Sequence, residues 1–328
     1  MRIHFVCKPW ELGCGTSSVQ RFFDIFKFQD KSVTLSLSKI KRTAFAFRIV
    51  PTQYPEILRE IKAINPDWVV IAGRANYDLV SFLHKWGCDN IVIHDQDELI
   101  CDGHYRQYEK IKGHAAIIIQ EHKQIVQLFS DYARLGVFWL PPHFSRYMEP
   151  TNTQKMHDIG FLGYVNEYRD QFIDRVFKNM PPTIDTCCIN SSDGLLFGED
   201  VGNFYASCKI VIGLPRMEGW EIDSAATSSR VFQVLGAGSF YLMHQVVPAN
   251  NIPFKSGEHL ITFKDEQELI NLASYYLENG NERERIAQAG RIAVYKQHLD
   301  VHRADEFWQL LEQFTKKEES ANISHFVG

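Results

Sequence analysis

No segment of this chain approaches the eighteen or more consecutive apolar residues of a membrane-spanning helix. The opening run MRIHFVC is too short an apolar stretch for a secretory leader, and no low-complexity tract interrupts the sequence. The seven cysteines include no CxxC pair, so neither a zinc ribbon nor a disulfide framework is spelled out. Cys187 and Cys188 are adjacent, which makes it hard for both to join one tetrahedral metal site. An odd, scattered set of this kind fits reduced thiols, and the expectation is a cytoplasmic protein without a membrane span. Basic excess is missing too. The net charge is −5, which argues against a surface built throughout for nucleic acid or anionic lipid. A short basic cluster, Lys39, Lys41 and Arg42, reads as a solvated strand end.

What is present is a globular composition, 45% apolar and 23% charged over 328 residues, which is long enough for two domains. Apolar runs bounded by turn residues alternate with segments of helical period. In the first half, strands are predicted at Ile3–Cys7, Val33–Leu37, Trp68–Ala72, Ile91–His94, Ala115–Ile119 and Val137–Leu140. Between them lie helical patterns at Val19–Phe28, Tyr54–Ile64, Leu79–Trp86 and Lys123–Tyr132. From Pro141 to Met156 the alternation lapses into proline and polar residues, which marks a linker. It resumes with strands at Ile159–Leu162, Thr183–Cys187, Lys209–Gly213, Phe240–His244 and His259–Phe263. The helices of this half are Tyr168–Phe177, Glu266–Glu278, Asn281–His298 and Arg303–Thr315, with a frayed end from Lys317. Such alternation implies parallel sheets with right-handed crossovers. The expected fold is α/β, with two doubly wound Rossmann-like domains facing a cleft. Their expected bounds are 1–145 and 157–300, followed by a helix and tail over 301–328. Ligands of such folds sit at the carboxyl ends of the strands.

One such end dominates the chemistry. Phe204 to His244 reads as strand, long polar loop, short helix, glycine turn and strand. The loop crowds Arg216, Glu218, Glu221, Asp223, Thr227, Ser228, Ser229 and Arg230 into fifteen residues. Ser228 or Ser229 can cap a helix that starts near Arg230 and stops at Gly236–Gly238. A helix N-terminus with free N–H groups and an arginine suits a phosphate or diphosphate. Carboxylates just upstream can accept hydrogen bonds from sugar hydroxyls. These features suggest a site for a sugar nucleotide. The plain alternative is a solvated crossover loop in which Arg230 pairs with Glu218 or Glu221.

Other motifs are less specific. Gly13, Gly15 and Thr16 follow the first strand, where glycines let backbone approach a diphosphate or an acceptor and Thr16 can cap a helix. The same residues also suit an ordinary tight strand–helix turn. Asp95-Gln96-Asp97 formally spells DxD, but it lies in the half expected to bind acceptor, so metal coordination is the weaker reading. At a strand's carboxyl end His94, Asp95 or Asp97 would touch the acceptor or act as general base. A packed, hydrogen-bonded imidazole is the equal alternative for His94. His104, His114, His122 and His143 lack ligand spacing, and no metal site is expected. Trp10 and Trp220 sit in loops, placed either to stack on a ring or to pack.

Four blocks of the second half carry a resemblance: HDIGFLGYVNEYRDQFI at 157–173, YASCKIVIGL at 205–214, SSRVFQVLGAGSFYLMH at 228–244, and the stretch from FKSGEHLITF to AGRIAVYKQH at 254–298. In content and order they resemble the glycosyltransferase family that includes the spore-maturation protein CgeB, of glycosyltransferase B fold and group 1 type. The first half matches that family only in architecture and in NPDWVV. The resemblance implies a nucleotide-sugar donor, UDP-, GDP- or dTDP-linked, on the C-terminal domain and an acceptor mostly on the N-terminal one. It implies no obligatory metal or cofactor, with helix termini and basic side chains stabilising the diphosphate. By carry-over, Arg230 and its helix start face the diphosphate, and Gly163 and Arg169 lie near the same phosphates. Arg216, Glu218, Glu221 and Ser229 line the donor pocket. Gln233 stands where the family usually has an acid, which keeps an acceptor oxygen and loses a charge.

The leading expectation is therefore a glycosyltransferase acting on an unidentified acceptor, whether glycan, small molecule, protein or modified nucleic acid. A non-catalytic nucleotide-sugar-binding protein is the alternative that Gln233 raises. An NADP-dependent oxidoreductase, using Lys39, Lys41 and Arg42 for a 2′-phosphate, lacks the third glycine of its fingerprint.

Overall fold

The structure, a computed structural model, describes residues 1–7, 18–37, 40–42, 47–72, 76–95, 108–121, 123–191, 196–214, 229–245 and 252–326. The chain divides into two compact units, Met1–Pro141 with Asp300–Gly328, and Pro142–Leu299.

The first unit holds β1 (Ile3–Cys7), α1 (Ser18–Phe28), β2 (Val33–Leu37), β3 (Ile40–Arg42), β4 (Phe47–Ile49), α2 (Tyr54–Ile64), β5 (Trp68–Ala72) and α3 (Tyr77–Lys85). It continues through β6 (Ile91–Asp95), β7 (Ile117–Gln120), α4 (Lys123–Leu128) and β8 (Gly136–Trp139). Its main sheet runs β2-β1-β5-β6-β7-β8, every neighbouring pair parallel. The strands read as continuous apolar runs because both faces are covered. Alternate residues feed opposite layers, as the pleat requires. Val69, Ile71, Ile91, Ile93 and Ile118 pack with Ile57, Ile61, Leu79 and Leu83 of α2 and α3. Phe5, Val70, Val92, Ile117 and Ile119 pack with Phe22 and Phe26 of α1 and with Ala304, Phe307 and Leu311. Those last three belong to the C-terminal helix, which is helical in backbone from Asp300 to Phe326 and returns to complete this unit.

The second unit runs β9 (His157–Gly163), α5 (Glu167–Lys178), β10 (Thr186–Asn190), α6 (Glu199–Ser207), β11 (Cys208–Gly213), α7 (Ser229–Gly236), β12 (Phe240–His244), β13 (Ile261–Phe263), α8 (Glu266–Glu278) and α9 (Gly280–Gln297). The helix over Asp300–Phe326, already described, is α10. The sheet order is β10-β9-β11-β12-β13, again all parallel. Ile159, Phe161, Ile210, Ile212, Leu242 and Phe263 of its strands pack with Phe172, Leu269 and Ile286 of the helices. The first strand lies inside the sheet, with β10 on one side and β11 on the other. The winding direction therefore reverses between β9 and β11, and the crevice at their carboxyl ends is where such a fold receives a ligand.

The elements depart from the sequence reading at several points. The strand expected at Thr183–Cys187 lies three residues later, at Thr186–Asn190. Phe204–Ser207, read as the start of a strand, closes α6 instead. Val201, Phe204 and Tyr205 are buried at helical spacing, and Gly202 packs so closely on the Met148 carbonyl that a β-carbon would overlap it. The hairpin β3–β4 was not expected. The stretch read as a linker is packed into the second unit. Phe144 is fully buried, its N–H donates to the His298 carbonyl at 2.8 Å, and Ser145 caps a short turn at Arg146–Met148.

Candidate functional site

The crevice of the second unit is built from the end of β9 upward. Gly163 closes that strand, and the guanidinium of Arg230, from the first turn of α7, lies directly over its Cα. A β-carbon at 163 would overlap Arg230 Nη2, so only glycine leaves room for the arginine in this position. The ring of Phe161, two residues earlier, faces both guanidinium groups of the site. Its centroid is 5.3 Å from Arg230 Cζ and 5.8 Å from Arg169 Cζ. Two buried phenols, Tyr205 of α6 and Tyr241 of β12, accept hydrogen bonds from Arg230. Burial drives the Tyr241 hydroxyl up to about 12, with the cationic Arg230 acting in the opposite sense, and burial likewise raises Tyr205. Both phenols therefore stay neutral at physiological pH. Gly213, at the end of β11, supplies the space into which the Tyr241 hydroxyl fits.

Arg169 has a different task. Its side chain is buried, Nη1 donates to the Tyr164 carbonyl at 2.8 Å, and Nη2 donates to the Leu214 carbonyl at 2.9 Å. It thereby ties the chain leaving β9 to the chain leaving β11. The surrounding turn is closed by further bonds. Ser191 N–H donates to the Gly163 carbonyl at 2.9 Å, and Val165 N–H donates to Asn190 Oδ1 at 3.2 Å. Asn166 Oδ1 caps α5 by accepting from Arg169 N–H at 3.0 Å. The two lips of the crevice are thus fixed before any ligand arrives.

Ser229 is exposed at the start of α7, and Gln233 one turn later donates from Nε2 to Ser229 Oγ at 3.4 Å. The structure therefore brings Gly163, Arg169, Ser229, Arg230 and Gln233 into one neighbourhood. Arg216, Glu218 and Glu221 lie outside the described residues, as do Gly13, Gly15 and Thr16 of the first unit.

His94 and Asp95 end β6 in the first unit, and both are buried. His94 meets Phe22 and Phe307 edge-on, with ring centroids 5.6 and 6.3 Å away. Asp95 accepts hydrogen bonds from Tyr77 Oη at 2.6 Å and Tyr108 Oη at 2.7 Å. Burial, then the Asp95 charge, pushes the Tyr108 hydroxyl well above its ordinary range. Both side chains are committed to the interior of this unit. Asp97, the other acid of the DxD, lies outside the described residues.

Sequence reasoning missed Phe161, Tyr205 and Tyr241. A tyrosine inside an otherwise apolar strand such as FYLMH carries one signal, since its hydroxyl needs a partner when buried. Among the described residues, no group of three or more His, Cys, Asp or Glu side chains is placed to hold a metal, and no helix is long and apolar enough to cross a membrane.

Residues 169–309 match the family described as glycosyl transferase-like. No curated protein sequence matches the chain. Among solved structures, the Anabaena protein Alr3699/HepE, crystallised with UDP and glucose, superposes with a TM-score of 0.69 at 12% identity, covering 95% of this chain and 100% of that one. Sucrose-phosphate synthase from Thermosynechococcus elongatus gives 0.68 at 9% identity over 96% and 99%. A glycosyltransferase from Rickettsia africae ESF-5 gives 0.65 at 12% identity over 96% and 98%. At such identities the likeness is one of fold, and the fold is that of glycosyltransferases.

Proposed function

We propose, from the premise that this chain is a glycosyltransferase whose residues 169–309 are glycosyl transferase-like, that it moves a sugar from a nucleoside-diphosphate donor to an acceptor hydroxyl and binds that donor in its second unit. The observation that carries this reading is the placement of Arg230. A guanidinium is held by an aromatic face and two neutral phenols at the switch point of a doubly wound sheet, beside the start of a helix. When the bond between sugar and diphosphate breaks, negative charge grows on the leaving phosphate oxygens. A cation already fixed at that place stabilises the charge without reorganising. Arg230 and the α7 N-terminus would supply this without an obligatory metal.

Each remaining side chain takes a role from its partners. Gly163 lets the diphosphate and Arg230 share the end of β9. Arg169, spent on two carbonyls, is a positioning residue rather than a phosphate ligand. Ser229 offers a hydroxyl at the helix start, and Gln233 offers an amide oxygen where a ribose would lie. Acceptor recognition is assigned to the first unit. There the buried Asp95 fixes the phenols of Tyr77 and Tyr108 at the end of β6 rather than meeting the acceptor itself. HepE is described in complex with UDP and with UDP-glucose, so uridine nucleotides are the first donors to try, followed by GDP and dTDP sugars. The four sequence blocks favour the CgeB-like branch.

The test is a donor panel scored by thermal shift and by slow donor hydrolysis. One nucleotide should raise the melting temperature, and Arg230→Ala should remove about 2–4 kcal/mol of barrier lowering. Unchanged turnover in a folded Arg230→Ala protein would remove Arg230 from the mechanism. Stabilisation by a donor with no turnover on any acceptor would favour a binding protein, the reading to which Gln233 in place of an acid points.

A further inference from the structure

His244 ends β12 and is only 6% exposed, in a row of side chains that is otherwise apolar. Alternate residues of this sheet, among them Phe161 of β9, Ile212 of β11, Leu214 just beyond it and Leu242 of β12, feed one core. The next positions of that alternation are Gly163 on β9 and His244 on β12. Strand pairing sets them in one row. Gly160 lies beside Val211 and Gly213 beside Met243, so the register carried onward aligns Gly163, Leu214 and His244. Arg169 bonds to the carbonyls of both Tyr164 and Leu214, which closes the same row. Two strand spacings, about 10 Å, separate Gly163 from His244. The β-carbon direction of Gly163 is the one that meets Arg230, whose guanidinium also faces the Phe161 ring. His244 and Arg230 therefore share one face of the sheet at its carboxyl edge.

The imidazole is fixed there. It meets Phe263 of β13 edge-on, with ring centroids 5.3 Å apart, and the next residue ties the strands together as Gln245 N–H donates to the Phe263 carbonyl at 2.6 Å. Nδ1 lies 3.1 Å from the Gln245 carbonyl oxygen. A carbonyl only accepts, so Nδ1 carries the proton, and Nε2 of the neutral ring presents a lone pair. Among the described residues Nε2 has no partner, and it is not sealed from solvent. Such a lone pair calls for an O–H or N–H donor.

We infer that His244 accepts, at Nε2, a hydrogen bond from an O–H or N–H group of the sugar-nucleotide donor, beside the diphosphate that Arg230 holds. This rests on the donor-site reading above. The lone pair repels phosphate oxygens, so its partner belongs to the sugar or the nucleoside. The ring is built into the sheet, and the bond forms without ordering a loop.

Equilibrium binding of UDP, UDP-glucose and inorganic pyrophosphate to the full chain tests this with two variants. His244→Phe keeps a flat ring against Phe263 and lacks the acceptor, whereas His244→Gln restores an acceptor at similar reach. Circular dichroism confirms that both fold. His244→Phe should weaken nucleotide binding about tenfold, His244→Gln should recover most of the affinity, and pyrophosphate should bind all three chains alike. Loss with UDP itself assigns the nucleoside to the imidazole, and loss with UDP-glucose alone assigns the sugar. Carbethoxylation of the wild-type chain, mapped by peptide mass, needs no substitution, and UDP-glucose should slow the modification of His244. Wild-type affinity in His244→Phe, an equal loss in both variants, an equal loss for pyrophosphate, or an unslowed His244 each overturns the inference and leaves the donor site standing. A wild-type chain that binds none of the three ligands overturns it together with the donor-site reading.

Discussion

At Gly163 a single methyl group decides where Arg230 can lie, because a β-carbon there would overlap Nη2. Gly163 is not among the residues with positive φ, so alanine suits the backbone and the fold should survive the change. The guanidinium would be pushed off the end of β9 while keeping its charge. A displacement of about 1 Å at a catalytic group costs roughly a hundredfold in rate. Gly163→Ala should therefore lower donor hydrolysis by about that factor, with a melting temperature close to wild type. Turnover equal to wild type in the folded variant would show that the position of Arg230 over Gly163 does not matter. Tyr241 illustrates what one residue hides from sequence reading. Within FYLMH it reads as one more core aromatic, and nothing in its neighbours announces that its hydroxyl meets an arginine eleven positions earlier. Arg169 shows the converse. The resemblance placed it near the phosphates, and in the structure Nη1 and Nη2 each donate to a backbone carbonyl.

Elements were more legible than residues. The continuous apolar run WVVIA announced a strand covered on both faces, the run at Ile91–His94 announced another strand, and helical spacing announced α2, α8 and α9. α6 escaped because its buried positions run straight into the apolar strand that follows, leaving no turn residue to separate the two. The C-terminal helix α10 shows what spacing cannot reveal, namely which unit an amphipathic helix covers. The answer lies in long-range partners. Arg21 Nε of α1 donates to Asp300 Oδ2 at 2.6 Å, and Trp68 Nε1 donates to Thr315 Oγ1 at 2.8 Å. The Asp300 carboxylate is fully buried and also accepts Val301 N–H at 2.9 Å. Removing the arginine leaves a buried charge without its cation, which is far costlier than removing an exposed pair. Arg21→Ala should destabilise the chain by about 3 kcal/mol in urea unfolding, and adding Asp300→Ala should recover part of that loss. Additive losses in the double variant would mean that the two side chains act independently.

At the scale of the molecule, the same winding is used twice, with the first strand of each unit inside its sheet and the second strand beside it. Among the described residues, the two units differ in the charged group found at one strand end of each. The second unit sets a guanidinium at the β9–β11 switch point, whereas the first ends β6 with a buried carboxylate bonded to two phenols. On the donor-site proposal a diphosphate would be drawn to the former rather than to the latter. Because binding to the folded state stabilises it by mass action, a nucleotide at about 100 times its Kd adds roughly 2.7 kcal/mol. That gain protects the backbone amides whose opening breaks the site, and local opening differs from one segment to another. Hydrogen exchange read by mass spectrometry, with and without UDP, should therefore slow at the ends of β9 and β11, in the turn over residues 163–166 and in the first turn of α7. Residues 91–95 and 117–120 of the first unit should exchange as before. Protection confined to that first-unit pair of strands would move the donor to the other half of the chain. The guanidinium over Gly163 would then be a structural feature of its own sheet.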